Sequence, residues 1–156
     1  MDTQLDKVLA NLQCYLKYVR GMGLEALSSS ALTLKEVRAA LGDCQRCKLS
    51  RTRKTLVFGE GNERATLLLI GEGPGYEEDL QGRPFVGKAG QLLTKILLSI
   101  QLQREEVYIT NIVKDRPPGN RDPMPNEIES YAPFLDRQIE IIKPKVIATL
   151  GRFSMD

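Results

Sequence analysis

No histidine and no tryptophan occur in the 156 residues, and only three are cysteine. Each shortage removes chemistry. Without histidine there is no Ser-His-Asp or Cys-His nucleophilic site, no His-containing zinc site and no His general base. Proton transfer near neutral pH is left to carboxylate, Lys, Tyr or Cys groups. No apolar run approaches the roughly 20 residues of a membrane span. The first residues, Met-Asp-Thr-Gln-Leu-Asp, start acidic and lack the apolar core of a signal peptide. A cytoplasmic chain with no membrane partner is expected. Nor does one sign of charge dominate: 22 basic and 20 acidic residues leave a net +2. That balance does not by itself announce nucleic-acid binding.

What charge there is clusters. Arg46, Lys48, Arg51, Arg53 and Lys54 crowd one stretch; Glu72, Glu77, Glu78 and Asp79 crowd another. With 42% hydrophobic and 27% charged residues the composition is that of a globular chain. The length suits one domain over 1–156, with helices in 1–42 and an α/β core in 43–156.

Leu5, Val8, Leu9, Leu12, Leu16 and Val19 space as one helical face across 3–22, stopped by Gly21 and Gly23. Thr33, with Glu36 three residues on, opens a second helix over 33–41 that buries Leu34, Val37 and Leu41. Residues 42–64 read as loop, with a short strand near Leu56-Val57-Phe58. Residues 66–70, 107–111 and 146–150 read as strands, the first and last as buried runs stopped by Gly71 and Gly151. Helices are expected over 88–101, with Leu92, Leu93, Ile96 and Leu97 inward, and over 126–142. Between them lies a proline-rich loop holding Pro117, Pro118, Pro123 and Pro125. Strands alternating with helices argue for a layered α/β sheet, which binds ligands at its strands' carboxyl ends. The chain stops five residues after Gly151, so a C-terminally short domain without its last strand is expected.

Several segments carry chemistry. The loop 71–79 holds three glycines that admit close backbone approach, but it is not the dinucleotide fingerprint, because Tyr76 stands where the third glycine belongs. Its acids suit a neutral polar ligand or a polarised water rather than phosphate; the plainer alternative is an acidic turn. Gly82 to Ala89 nearly matches a phosphate-binding loop but lacks the final Ser or Thr, and Pro84 removes a donor. What remains is Phe85 on a loop, either a lid on the core or a surface for stacking a base. Asn111 ends a strand with both a donor and an acceptor, enough to read a base edge, although such an Asn often only forms a turn. Cys44 and Cys47 form half of a metal site. Cys14 falls in the apolar register of the first helix, where a free Cys packs as core.

Together, Leu-Ile-Gly-Glu-Gly-Pro-Gly at 69–75, Gly-Arg-Pro-Phe-Val-Gly at 82–87, Tyr-Ile-Thr-Asn at 108–111 and Arg-Pro-Pro-Gly-Asn-Arg-Asp-Pro at 116–123 resemble the uracil-DNA glycosylase superfamily. They look most like its family 4 branch of bacteria and archaea, which carries an iron–sulfur cluster. The resemblance runs from about Leu24 onward, in the family's order. It implies a three-layer α/β/α fold around a short parallel sheet and recognition of uracil flipped out of DNA. Carried over, Glu72 and Gly73 line the uracil and water pocket, with Glu78 and Asn120 in loops beside it. Phe85 stacks on the ring and Asn111 bonds its edge. By their charge, Arg51, Arg53, Lys54, Arg116 and Arg121 are candidates to contact DNA phosphates, the plainer alternative being solvated surface charges. Of the cluster's four cysteines only Cys44 and Cys47 remain, with Asp115 and Tyr131 at the other two positions. An absent or labile cluster is expected. The family's later His-Pro-Ser motif has no counterpart, so weak or lost activity is expected, with a non-catalytic base-binding module as the alternative. The expected partner is uracil-containing DNA, bound by a monomer.

Overall fold

The computed structural model describes residues 33–151. The expected helix over 3–22 and Cys14 lie outside them. Helix α1 (Leu34–Leu41) starts where the sequence places it. The Thr33 hydroxyl accepts from Glu36 N at 3.3 Å, and the Glu36 carboxylate accepts from Thr33 N at 2.7 Å. This reciprocal pair satisfies two amides that the first turn would otherwise leave open. Leu34, Val37 and Leu41 are buried on the opposite side.

The remaining elements are β1 (Glu60–Gly61), β2 (Leu67–Gly71), α2 (Tyr76–Gln81), α3 (Lys88–Ser99), β3 (Tyr108–Asn111), α4 (Pro125–Ile142) and β4 (Val146–Leu150). One sheet runs in the order β1-β3-β2-β4. β2 is parallel to both β3 and β4, and the short β1 is antiparallel to β3. Alternation along the strands separates two cores. Leu68, Ile70 and Tyr108 pack with Leu34, Val37, Tyr131 and Phe134 on one face; Leu69 and Ile109 pack with Leu93 and Leu97 on the other. The layers are therefore α1 with α4, the sheet, and α3, the expected three-layer α/β arrangement.

Three local expectations are corrected. Leu56-Val57-Phe58 is no strand: it is a buried extended segment whose Val57 N donates to the Lys114 carbonyl at 2.8 Å. On α3 only Leu93 and Leu97 turn inward. Leu92 and Ile96 are 59% and 50% exposed, because they fall on the far side of a helix that touches the sheet along one stripe. β4 is not fully buried either. It pairs only with β2 among the described residues, and Val146 and Ile147 stay exposed. No described helix is long and apolar enough to cross a membrane.

The Thr33 cap makes a direct prediction. Thr33→Ala should lower unfolding stability by about 1 kcal/mol, read as a shift in urea midpoint at unchanged slope.

Candidate functional site

The pairing register sets Gly71 opposite Asn111 on β3 and opposite Leu150 on β4. Three strand ends thus meet at one edge, the position where open α/β sheets bind ligands. Gly71 is the close-approach point. A Cβ there would lie 2.4 Å from Asn111 Oδ1 and 2.6 Å from the Phe85 ring. Only glycine lets these two side chains converge. Phe85 adopts φ +52°, a left-handed conformation that strains an aromatic residue. The next helix locks it there: a Cβ on Gly90 would meet the Phe85 carbonyl oxygen at 1.8 Å. Phe85, Asn111, Gly73, Gly75, Glu78 and Ala89 line a cavity of about 200 Å³.

Asn111 is 1% exposed, and its Oδ1 has no hydrogen-bond partner among the described residues. A buried, unpaired acceptor is costly, so an N–H donor entering the cavity would gain what the free protein lacks. The backbone of Asn111 is held from below. Lys114 is wholly buried, and its Nζ donates to the Asn111 carbonyl (2.7 Å), Thr110 Oγ1 (2.7 Å) and Gln138 Oε1 (2.6 Å). The Gln138 amide and the Thr110 hydroxyl both donate to the Phe58 carbonyl. Burial pulls the Lys114 ammonium down to about 7, while three acceptors, one for each N–H group, favour the charged form. Sequence reasoning passed over Lys114 and Gln138. The available signal was a charge inside the otherwise apolar Ile112-Val113-Lys114 run.

A second cavity of about 120 Å³ shares Gly73 and Gly75 with the first and is also lined by Glu72, Pro117 and Asn120. Gly151, at the end of β4, lies against the Glu72 carboxylate. Asn120 Oδ1 accepts from Arg116 Nε at 2.7 Å. Glu78 is placed differently from Glu72. Its Oε1 accepts from Val86 N and Gly87 N, each at 2.8 Å, and its Oε2 from Gly75 N at 3.2 Å. It ties the 71–79 loop to the Phe85 loop and so shapes the cavity. Asp79 also turns inward, accepting from Lys54 N at 2.8 Å. Two of the four clustered acids therefore serve backbone amides.

The basic residues divide. Lys54 and Arg51 are exposed, and Arg116 is half-buried. Arg53 is not a surface cation: its side chain is 6% exposed, paired to Asp43 and Asp115, and its Nη1 donates to the Cys44 carbonyl. That corrects its assignment to phosphate, because the guanidinium is consumed within the fold. Arg121 is engaged too, by a two-pronged pair with Glu127 at 2.6 and 2.9 Å.

Cys44, Cys47, Asp115 and Tyr131 come together beside Arg53. The Tyr131 hydroxyl donates to Asp115 Oδ2 at 2.6 Å, and the same oxygen takes Arg53 Nη1. Burial pushes the Asp115 carboxyl up, opposed by Tyr131 and Arg53; burial likewise pushes up the Cys47 thiol.

Comparison with known proteins agrees with this geometry. The family model described as the uracil DNA glycosylase superfamily matches residues 58–156. The chain belongs to that superfamily. It is 51% identical over 122 residues to the Type-4 uracil-DNA glycosylase of Archaeoglobus fulgidus, covering 78% of this chain and 61% of that protein. It is 56% identical over 112 residues to the Type-4 enzyme of Saccharolobus solfataricus, covering 71% and 52%, and 50% identical over 123 residues to that of Sulfurisphaera tokodaii, covering 78% and 56%. The chain thus spans a little over half the length of these relatives.

An iron–sulfur cluster, implied by the Type-4 branch, does not fit the residues present. Such clusters are held by Cys thiolates. Here Asp115 is engaged by a guanidinium and a phenol, and the Tyr131 ring is fully buried between these groups and the core.

Three predictions follow from these networks. Asp115→Asn removes one partner of a buried ion pair and should cost about 3–5 kcal/mol of unfolding free energy. Asp43→Asn, at a residue whose side chain is 81% exposed, should leave the denaturation midpoint near wild type. For Lys114 the folded pKa lies below the unfolded value, so the unfolded chain binds more protons above about pH 7. Wild-type stability relative to Lys114→Met should therefore rise with pH, by up to about 1.4 kcal/mol per unit between pH 7 and 9. Parallel urea titrations would show it; a difference flat in pH would contradict it.

Proposed function

We propose that the cavity over Gly71 binds a uracil flipped out of DNA and that the adjoining Glu72 cavity holds the water that hydrolyses its N-glycosidic bond. The observation that carries this reading is the unpaired Asn111 Oδ1 beside Phe85. A pyrimidine such as uracil offers an edge N–H to that oxygen and a flat face to Phe85. A neutral base also suits a site whose nearest acid, Glu78, already accepts three backbone donors.

In this mechanism water attacks C1′ of the sugar while the C1′–N1 bond breaks, and the bonding pair leaves on the uracil ring. Glu72 and the Gly73 segment orient the water, and a carboxylate acceptor takes the water proton as the sugar gains positive character. No covalent intermediate is needed, and the reading uses no iron–sulfur centre. The names of the relatives support uracil excision. The 156 residues contain no histidine to donate to the departing base. Absence of one such donor costs about 10²–10³ in rate, so slow turnover is proposed for these 156 residues by themselves. DNA is the partner, and a cytoplasmic monomer remains the expected setting.

The test is alkaline cleavage of a uracil-containing single-stranded oligonucleotide, with Glu72→Gln/Asn111→Ala as the background. Cleavage above background supports the glycosylase. Uracil-dependent binding with no cleavage supports instead a base-binding module, the reading favoured by the missing histidine. Asn111→Ala should weaken binding of the uracil strand by about tenfold or more and erase its preference over a cytosine strand, whose base has no N–H at N3. Phe85→Ala should weaken both strands, by about 1–3 kcal/mol. Equal binding of both strands by the wild-type protein would sink the proposal.

A further inference from the structure

We propose that Lys54, Tyr76 and Arg116 form a subsite for the phosphodiester backbone of the strand flanking the base cavity, with the Tyr76 ring holding the two cations in place. This inference rests on the base-binding reading above and extends it to residues outside the cavity.

Tyr76 directly follows the cavity residue Gly75, and its ring is 48% exposed. Two cations sit over that ring: Lys54 Nζ lies 5.7 Å and the Arg116 guanidinium carbon 5.1 Å from its centroid. A large exposed aromatic contributes little to a core, but its negative face attracts cations. The backbone of Lys54 and the side chain of Arg116 are held from behind. The buried Asp79 carboxylate accepts from Lys54 N at 2.8 Å and Thr55 N at 3.3 Å, stapling the basic loop onto α2. Arg116 spends its Nε on Asn120 Oδ1, a residue of the Glu72 cavity, which leaves its terminal nitrogens for another partner.

Neither residue has a carboxylate ion pair among the described residues, and both, unlike the other cations, lie over the ring that follows the cavity residue Gly75. Arg53, Arg83, Arg104, Arg121 and Arg137 are each paired with an Asp or Glu. The fold neutralises those arginines internally and leaves Lys54 and Arg116 positioned but uncommitted beside the cavity. Fixed cations with open donors suit phosphate oxygens. Two of them around one ring, next to a base-sized cavity, suit successive phosphates of one strand better than a single free anion.

The experiment measures binding of a fluorescent uracil-containing single-stranded oligonucleotide across a salt series. Each phosphate contact on a single strand contributes about 0.7 to the log–log salt slope. Lys54→Ala/Arg116→Ala should lower the slope by up to about 1.4, with its melting temperature unchanged. Tyr76→Leu should weaken binding about two- to five-fold, and Tyr76→Phe should restore it. Inorganic phosphate should compete no better than chloride at equal ionic strength. An unchanged slope in the double variant overturns the subsite; if Asn111→Ala still removes uracil preference, the base reading survives. A lowered slope without uracil preference in the wild type supports the subsite and sinks the base reading. Equal binding by Tyr76→Leu and Tyr76→Phe removes the ring's role. Stronger competition by phosphate overturns the assignment to a strand.

Discussion

A buried ammonium under the end of β3 sets the geometry on which the site depends. Lys114 donates to the Asn111 carbonyl, to Thr110 on the same strand and to Gln138 on α4. Gln138 and Thr110 in turn hold the Phe58 carbonyl. One side chain therefore joins the last residue of a strand, a helix and a buried extended segment. A charge is expensive to bury, and here it is accommodated by one acceptor for each N–H group. The consequence is a fixed backbone at Asn111, so the amide above it meets Phe85 without having to be ordered by the ligand.

The second constraint lies on the same side of the sheet. Arg53, Asp115 and Tyr131 join the basic loop, the segment after β3 and α4. A metal cluster can tie such segments together by coordination. In this chain an ion pair and a phenol make the tie, at positions where the Type-4 resemblance places cluster ligands. Arg53 stands in the middle of a basic run, yet its charge is spent on holding that run against the core. The same logic separates Glu78 and Asp79 from Glu72. The first two carboxylates bind backbone amides and shape loops, while Glu72 lines an open cavity.

Much of this was legible in advance. The apolar run Leu67 to Ile70, stopped by Gly71, is a strand because its residues are buried on both faces. Thr33 and Glu36 mark a helix start because their spacing lets each satisfy the other's amide. Phe85 and Asn111 stood out as an exposed-loop aromatic and a strand-end amide, and the structure brings them together at Gly71. Other features were misjudged where periodicity alone was the guide. Leu92 and Ile96 keep helical spacing with Leu93 and Leu97 but point away from the sheet. Val146 and Ile147 are as apolar as a central strand yet sit at an edge.

The sequence alone marked β2, β3 and β4, the helices α1, α3 and α4, the superfamily and the residue types that can read a base. These follow from local spacing and from motifs whose members are close in the chain. Tertiary structure alone decided which charges remain available. Arg53 and Lys54 are neighbours in sequence, but one is enclosed with Asp115 while the other lies over Tyr76 at the surface. Partners 62 residues apart, as Arg53 and Asp115 are, leave no periodic signal in the chain. The fate of each cation and carboxylate depends on what the fold sets beside it.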